Sequence, residues 1–528
     1  MHFTFAARPP YALPALAALA LLISGCAVGP TYKLPATPEV SAFKEAEGWV
    51  PAAPADTLER GPWWSLFGDP MLDELASRVE VSNQNVAVAV GAYAQARALV
   101  REQRASLFPS VALNGGATRA RSSGNLLTGA PGRTGNNYQL SIGGSWEPDV
   151  WGRLGRAVDS ATAGAQASAA DLASATLSAQ GELATNYLSL RQTDIQQALI
   201  QSTNEGYTRA LEITQNRYTA GIAAKTDVLQ AQTQLANGQA TAVGLQRQRA
   251  QLEHAIAVLV GQAPGNFSLP PLAAWKPVVP EIPVGVPSTL LQRRPDIAGA
   301  ERRVASANEQ IGIAKSAYFP SISLSASGGS GASRVADLFK TASNVWSLGL
   351  SAAQLVFDAG ATSARVDEAA AGRDQAVARY RQAVLAAFQD VEDQLSATRV
   401  LLAQQELRRQ ASEAADLVEQ QLLNRYRSGQ VSYTEVISAQ TTALSARSAL
   451  AQALSDRQTT AVALIQSLGG AGRWGNSPAA SAALLLIASC ARIYWARALY
   501  LLNFYKELAS RCAGGLPLAV GLTPRSHP

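Results

Sequence analysis

The sequence predicts a membrane protein of mixed class, in which long α-helices carry pairs of short β-strands and the whole plan is written twice. Three observations predict it. Ser106-Leu107-Phe108-Pro109-Ser110 returns as Ala317-Tyr318-Phe319-Pro320-Ser321, and Asn216-Arg217-Tyr218-Thr219-Ala220-Gly221 returns as Asn424-Arg425-Tyr426-Arg427-Ser428-Gly429. Both offsets are about 210 residues, so one long unit is duplicated in tandem. Each copy also holds two period-two segments of roughly ten residues, together with proline-free stretches far longer than the helices of a globular domain.

The strands come first. In the first copy Tyr138, Leu140, Ile142 and Trp146 alternate with Gln139, Ser141, Gly143 and Ser145, and the partner segment Ser110 to Ala120 alternates through Val111 and Leu113. In the second, Ile322, Leu324 and Ala326 alternate with Ser321, Ser323, Ser325 and Ser327. Trp346, Leu348 and Leu350 then alternate with Ser347, Gly349 and Ser351. One face of serine and glycine, with aromatics near the ends, matches transmembrane β-strands, and about ten residues cross a bilayer when tilted. Any one segment would suit a half-buried soluble hairpin; four in corresponding places favour the bilayer. Four strands leave two open edges, which lipid does not tolerate. Closure needs at least about eight strands, so the chain must oligomerise. Three copies would supply twelve strands; the arithmetic leaves two copies open. Residues 121–136 and 329–343 read as surface loops at the distal mouth.

The helices follow. From Gly155 to about Asn216 there is no proline, and Ala, Gln, Leu and Ser dominate. At 1.5 Å per residue such a helix spans on the order of 90 Å. A second run, Thr226 to Val260, turns back after Gly221; the second copy repeats the pair from Ala361 to Asn424 and from Thr434 to Leu468. Val384, Phe388, Val391, Leu395 and Leu402 fall on the four-three spacing of a coiled-coil seam. Gly221 and Gly429 permit the left-handed conformation that ends a helix, with Tyr218 and Tyr426 expected to cover the turns. A lumenless coiled-coil stalk would explain the helices but not the strands.

Composition narrows the function classes. The formal net charge of +5 resides at the ends: residues 473–528 hold six basic residues against Glu507 alone, and the body is balanced. No basic stripe runs through it, which argues against nucleic acid as a partner. The cysteines are Cys26, Cys490 and Cys512, so residues 27–489 hold neither disulfide nor thiolate metal site. With three histidines and no Gly-x-Ser-x-Gly, phosphate loop or metal cluster, no catalytic residue, metal or cofactor is expected.

Residues 1–25 carry Arg8 and an apolar run from Ala12 to Ile23, a secretory signal too short to span a bilayer. The signal ends Ile23-Ser24-Gly25-Cys26, which resembles the bacterial lipoprotein box. There the thiol takes a diacylglycerol, the leader is cut and the new amino terminus is acylated with a fatty acid such as palmitate. Several acyl chains on one residue give stable anchoring. Ala27 in place of aspartate favours, by analogy, the outer membrane.

Taken together, Cys26-Ala27-Val28-Gly29-Pro30-Thr31-Tyr32, Trp63-Trp64-Ser65-Leu66-Phe67-Gly68-Asp69-Pro70-Met71-Leu72, Arg293-Arg294-Pro295-Asp296-Ile297 and the paired Asn-Arg-Tyr-x-x-Gly turns resemble the outer membrane factor family, the TolC-like outer membrane efflux proteins, in its NodT-type lipoprotein branch. The likeness covers about residues 26–472. It implies a trimer: a twelve-stranded outer-membrane barrel continued by an α-helical periplasmic tunnel, lipid-anchored and passive. It also implies a periplasmic adaptor and an inner-membrane pump of the RND type as partners, with drugs or other small toxic compounds as cargo. A duct for type I polypeptide secretion is the alternative.

The domains then run as a signal peptide (1–25), a lipidated strap (26–71), a first repeat (72–265, hairpin at about 109–148), a linker (266–288) and a second repeat (289–472, hairpin at about 320–355). By position, the resemblance places a periplasmic gate at Asp227, Glu435, Arg427, Tyr218 and Tyr426, with Lys225 a further basic candidate. A ring of like charges in a narrow lumen would repel anions; Asp227 and Glu435 would equally suit the starts of their helices. Arg294-Pro295-Asp296 reads physically as a helix start, Asn83-Gln84-Asn85 holds the same place in the first copy, a first helix is expected over roughly Leu72 to Leu107, and Trp63-Trp64 reads as packing of the strap. After Arg473 the composition changes abruptly, and residues 473–528 are expected to be a non-native reading such as a frame slip, a species-specific extension being the alternative.

Overall fold

The computed structural model describes residues 28–37, 43–45, 62–121, 134–282 and 294–470. The leader, Cys26, the loop 122–133 and the tail 473–528 lie outside the described residues. In the first copy α1 (Pro70–Ser82) and α2 (Gln84–Ala105) lead into β1 (Ser110–Arg121) and β2 (Thr134–Trp146), then α3 (Arg153–Thr219) and α4 (Lys225–Leu259). The second copy runs α5 (Pro295–Ser316), β3 (Ser321–Ala332), β4 (Asn344–Ala353), α6 (Ala361–Arg427) and α7 (Tyr433–Ser467). The duplication is preserved to the residue: α3 and α6 each have 67 residues, and α4 and α7 each have 35. At 1.5 Å per residue the longer pair extends about 100 Å.

Three sequence expectations need correction. The run from Leu72 to Leu107 is two helices, broken at Asn83. The Asn83 side-chain oxygen accepts from the Asn85 and Val86 amides at 2.9 and 3.1 Å, capping α2, while its Nδ2 donates to the Leu259 carbonyl at 2.9 Å. One buried amide thus satisfies backbone groups at two helix ends. Leu402 leaves the seam: Val384, Val391 and Leu395 are fully buried, but Leu402 is 56% exposed. Finally, both expected loops are shorter: Arg121 belongs to β1, Thr134–Asn136 to β2 and Gly329–Ala332 to β3, which continues opposite β2 through Gly331 and Ala332.

The four strands form one antiparallel sheet in the order β1-β2-β3-β4, so the hairpins of the two copies pair with each other and β1 and β4 are left as edges. Register sorts the side chains. Val111, Leu113, Ile142, Trp146, Leu324, Leu348 and Leu350 share one face. Ser145, Ser323, Ser325, Ser327, Ser347 and Ser351 share the other. Serine hydroxyls meet across strands at 2.7 Å (Ser323 and Ser351) and 2.8 Å (Ser327 and Ser347). The apolar face is bare, with Leu113, Leu348 and Leu350 each more than 70% exposed.

The main core lies around the middle of the long helices. Trp63 and Trp64, edge to face at 5.7 Å, are buried in one cluster with Phe67, Leu72, Leu75, Leu183, Tyr187 and Ile256, the packing role expected of them. A polar network binds this region together. Asp194, fully buried, accepts from Arg191 at 2.9 Å and from Arg249 at 2.7 Å. The same arginines donate to the carbonyls of Pro270 and Leu269, and the Leu272 amide donates to Asp194, so residues 269–272 are tied to α3 and α4. Tyr187 and Trp275 both donate to Asp69, the N-cap of α1, at 2.7 and 3.0 Å.

The N-terminal strap runs along α5 and α6. The Val28 amide donates to the Trp151 carbonyl near the base of the sheet, and the Pro30 carbonyl accepts from Asn308 at 3.1 Å. Gly29, at φ +127°, lies so close to Gly312 that a Cβ would sit 2.6 Å from its Cα; only glycine fits there. Farther down, the Glu392 carboxylate accepts from the amides of Lys44 and Glu45 at 2.6 and 2.9 Å.

Candidate gate at the helix-hairpin ends

The reversals that join α3 to α4 and α6 to α7 share one backbone solution. Gly221 and Gly429 stand at φ +73° and +75°, and the amide of the residue after each reaches back to the carbonyl of Arg217 or Arg425 at 2.8 or 2.9 Å. This is the helix-ending bond pattern that a left-handed glycine allows.

The side chains around the two turns differ. Tyr426 is buried at 3% exposure, whereas its counterpart Tyr218 is 40% exposed and does not cover its turn. Tyr426 packs against Tyr433 with ring centroids 5.3 Å apart, and Ala210, Ala231 and Val436 complete a small apolar cluster shared by α3, α4, α6 and α7. The Thr214 hydroxyl lies 3.2 Å from the Tyr426 hydroxyl. Arg217 lies over the Tyr426 ring, 4.7 Å from its centroid, and donates to the Tyr426 carbonyl at 2.7 Å. The first-copy arginine therefore clamps the second-copy tyrosine, latching one helical hairpin to the other.

The charged candidates divide likewise. Glu435 is exposed, and its Oε1 accepts from the Ser432 amide at 3.2 Å and from the Ser432 hydroxyl at 3.1 Å, so the carboxylate caps α7. Asp227 is half-buried in the first turn of α4, where its charge acts on Tyr433. Burial, reinforced by Tyr426, Tyr207 and Asp227, pushes the Tyr433 hydroxyl up to about 12. Arg427 and Lys225 are exposed. Sequence reasoning missed Arg217, Thr214 and Tyr433. Arg217 was inside the repeated motif; Tyr433 was obscured because Lys225 holds its place in the first copy. Cys26 lies outside the described residues.

Above the cluster, Arg447 of α7 bridges Asp416 and Glu419 of α6, both at 2.7 Å. The apolar cluster and the arginine clamp hold the two hairpin ends against each other, and the ion-paired Arg447 holds α7 to α6.

Comparison with known proteins agrees with this architecture. The antibiotic efflux pump outer membrane protein ArpC of Pseudomonas putida is 31% identical over 462 residues, covering 87% of this chain and 95% of that protein. The toluene efflux pump outer membrane protein TtgC of the same species matches with the same identity and coverage. Among solved structures, the outer-membrane channel OprN superposes with a TM-score of 0.77 at 31% identity, covering 84% of this chain and 99% of that one. A sequence model described as outer membrane efflux protein matches residues 75–262 and 286–470, one stretch in each copy. The chain belongs to the outer membrane efflux protein family.

Proposed function

We propose that three copies of this chain close one passive conduit, a twelve-stranded barrel in the outer membrane continued by a tunnel of long helices. Through it, antibiotics, solvents or other small toxic compounds leave the cell. The observation that carries the reading is the sheet: four strands with two open edges, an apolar face and a serine–glycine face. Unpaired backbone edges do not persist in lipid, and a ring of three such sheets places the apolar face toward lipid and the serines toward the lumen. The helical hairpins reach about 100 Å the other way, far enough to meet a periplasmic adaptor and, through it, an inner-membrane pump. The efflux names of ArpC and TtgC support small molecules over polypeptides as cargo.

The hairpin ends serve as the gate. Tyr426, clamped by Arg217 and packed on Tyr433, holds the closed arrangement, with Asp227 lending its charge beside it. Gly221 and Gly429 shape the turns; Glu435 caps α7, and Arg427 and Tyr218 are exposed and open to contact with neighbours or adaptor. Cys26 carries the lipid. It precedes Val28, bonded beside the sheet base, by two residues, and two residues of chain reach at most about 7 Å, so acyl chains there enter the nearby leaflet.

Purified full-length protein in planar bilayers tests the reading, with native mass measured on the same sample. Trimers that conduct are expected; folded, monomeric protein that passes no current overturns it. Cys26→Ser is expected to abolish metabolic labelling with palmitate. Deleting the gene should raise susceptibility to drugs or solvents.

A further inference from the structure

On the apolar face of β1 the alternation Val111, Leu113, Gly115, Ala117 continues into Arg119 and then Arg121, both exposed. Arg119 lies nine residues beyond the strand's start, about 30 Å along it. At the usual barrel tilt this is roughly 23 Å in height, at the upper rim of an apolar band about 25 Å tall. Tyr138, opposite Ala117, stands just below on the same face, where an aromatic girdle belongs.

The charge at this end of the sheet is net positive. Between Ser110 and Trp146 the sequence holds Arg119, Arg121 and Arg133 and no Asp or Glu. The β3–β4 connection adds Arg334 and Lys340 against Asp337, which is already paired with Lys340 at 2.6 Å. The opposite end is balanced: Glu147 pairs with Arg153 at 2.8 Å, and Asp149 caps α3 through the Leu154 and Gly155 amides.

We propose that Arg119 and Arg121 bind the phosphate groups of anionic lipid in the outer leaflet. The inference rests on the reading that the apolar face meets lipid. A guanidinium matches a phosphate through paired charge-assisted bonds, and two of them at headgroup height on one strand form a fork toward the membrane. Because β1 is an edge strand, the site lies on a protomer boundary, and a bound lipid there joins one copy to the next.

Native mass spectrometry of detergent-released trimers tests this, using diphosphoryl lipid A, its dephosphorylated form and inorganic phosphate as probes. Wild type is expected to retain the diphosphoryl lipid. R119Q/R121Q should retain it on the order of tenfold less, and R119K/R121K, which keeps the charge but not the paired bonds, should recover only part of the difference. The dephosphorylated lipid should not distinguish the variants, and inorganic phosphate at matched concentration should not displace the lipid. Equal retention by R119Q/R121Q overturns the proposal, as does displacement by phosphate, which would mark a simple anion site. A several-fold gain in D337N also overturns it, by assigning the arginines to a neighbouring copy's carboxylate. Conductance and trimer mass are read on the same samples. If those are intact while lipid retention fails the test, only this inference falls; if they are absent in wild type, the channel reading falls with it.

Discussion

Tyr218 and Tyr426 are the same letter of a duplicated phrase, and the fold uses them oppositely. The difference is made by Arg217, whose guanidinium covers one ring and hydrogen-bonds its carbonyl, while the matching Arg425 is exposed. Arg217→Ala should therefore loosen the hairpin ends by about 1.5–3 kcal/mol, the range for a hydrogen bond to a charged group, and raise the open probability in planar bilayers. Arg425→Ala should stay within about 0.5 kcal/mol of wild type, leaving the open probability unchanged. Tyr433 adds a pH dependence. Its pKa is raised by burial, so its contribution to the latched state is complete below pH 10 and is lost as the pH climbs through about 12. Ultraviolet titration of tyrosinate alongside conductance should show opening in that window, and Tyr433→Phe should remove it. The repeated Asn-Arg-Tyr-x-x-Gly motif made the turns legible in sequence. Which copy's tyrosine is buried was not, because that depends on contacts between residues about 210 apart.

At the scale of elements, alternation in the sequence was enough to find all four strands and their two faces. It failed at the end of β3, where Gly328, Gly329, Ser330 and Gly331 have the composition of a loop. A wet sheet face asks for small polar side chains, so strand and loop look alike there. The helix start at Asn83 was marked by its match to Arg294-Pro295-Asp296, but its second role was not legible, because the Leu259 carbonyl it reaches is far along the chain. The two faces make a paired prediction. Leu348→Arg places a charge on the apolar face and should cost about 2–4 kcal/mol at mid-bilayer, seen as loss of trimers from the membrane fraction. Ser347→Asp, one residue away on the serine face, should leave trimers intact and shift reversal potentials toward cation selectivity.

For the whole molecule, the long helices and the seam as far as Leu395 were readable from spacing alone, but the central polar network was not. Asp194 is one carboxylate in an alanine-rich helix, and nothing local marks it as the meeting point of Arg191, Arg249 and the segment 269–272. Removing it strands two arginines in a dry interior. Asp194→Ala should lower stability by about 3–5 kcal/mol, measured as an earlier denaturant midpoint, with the hairpin-end gate unaffected.

The glycine seat that receives Gly29 is built into only one of the two copies. Gly312 of α5 admits Gly29 closely, whereas the matching position in α2 is Arg101. Halves of equal length set side by side around a ring could join out of step, like against like or like against unlike. Filling the groove of one half from within the same polypeptide removes that ambiguity before any neighbour arrives. In the proposed ring each subunit would then present two different flanks, and the circle would grow only by whole chains.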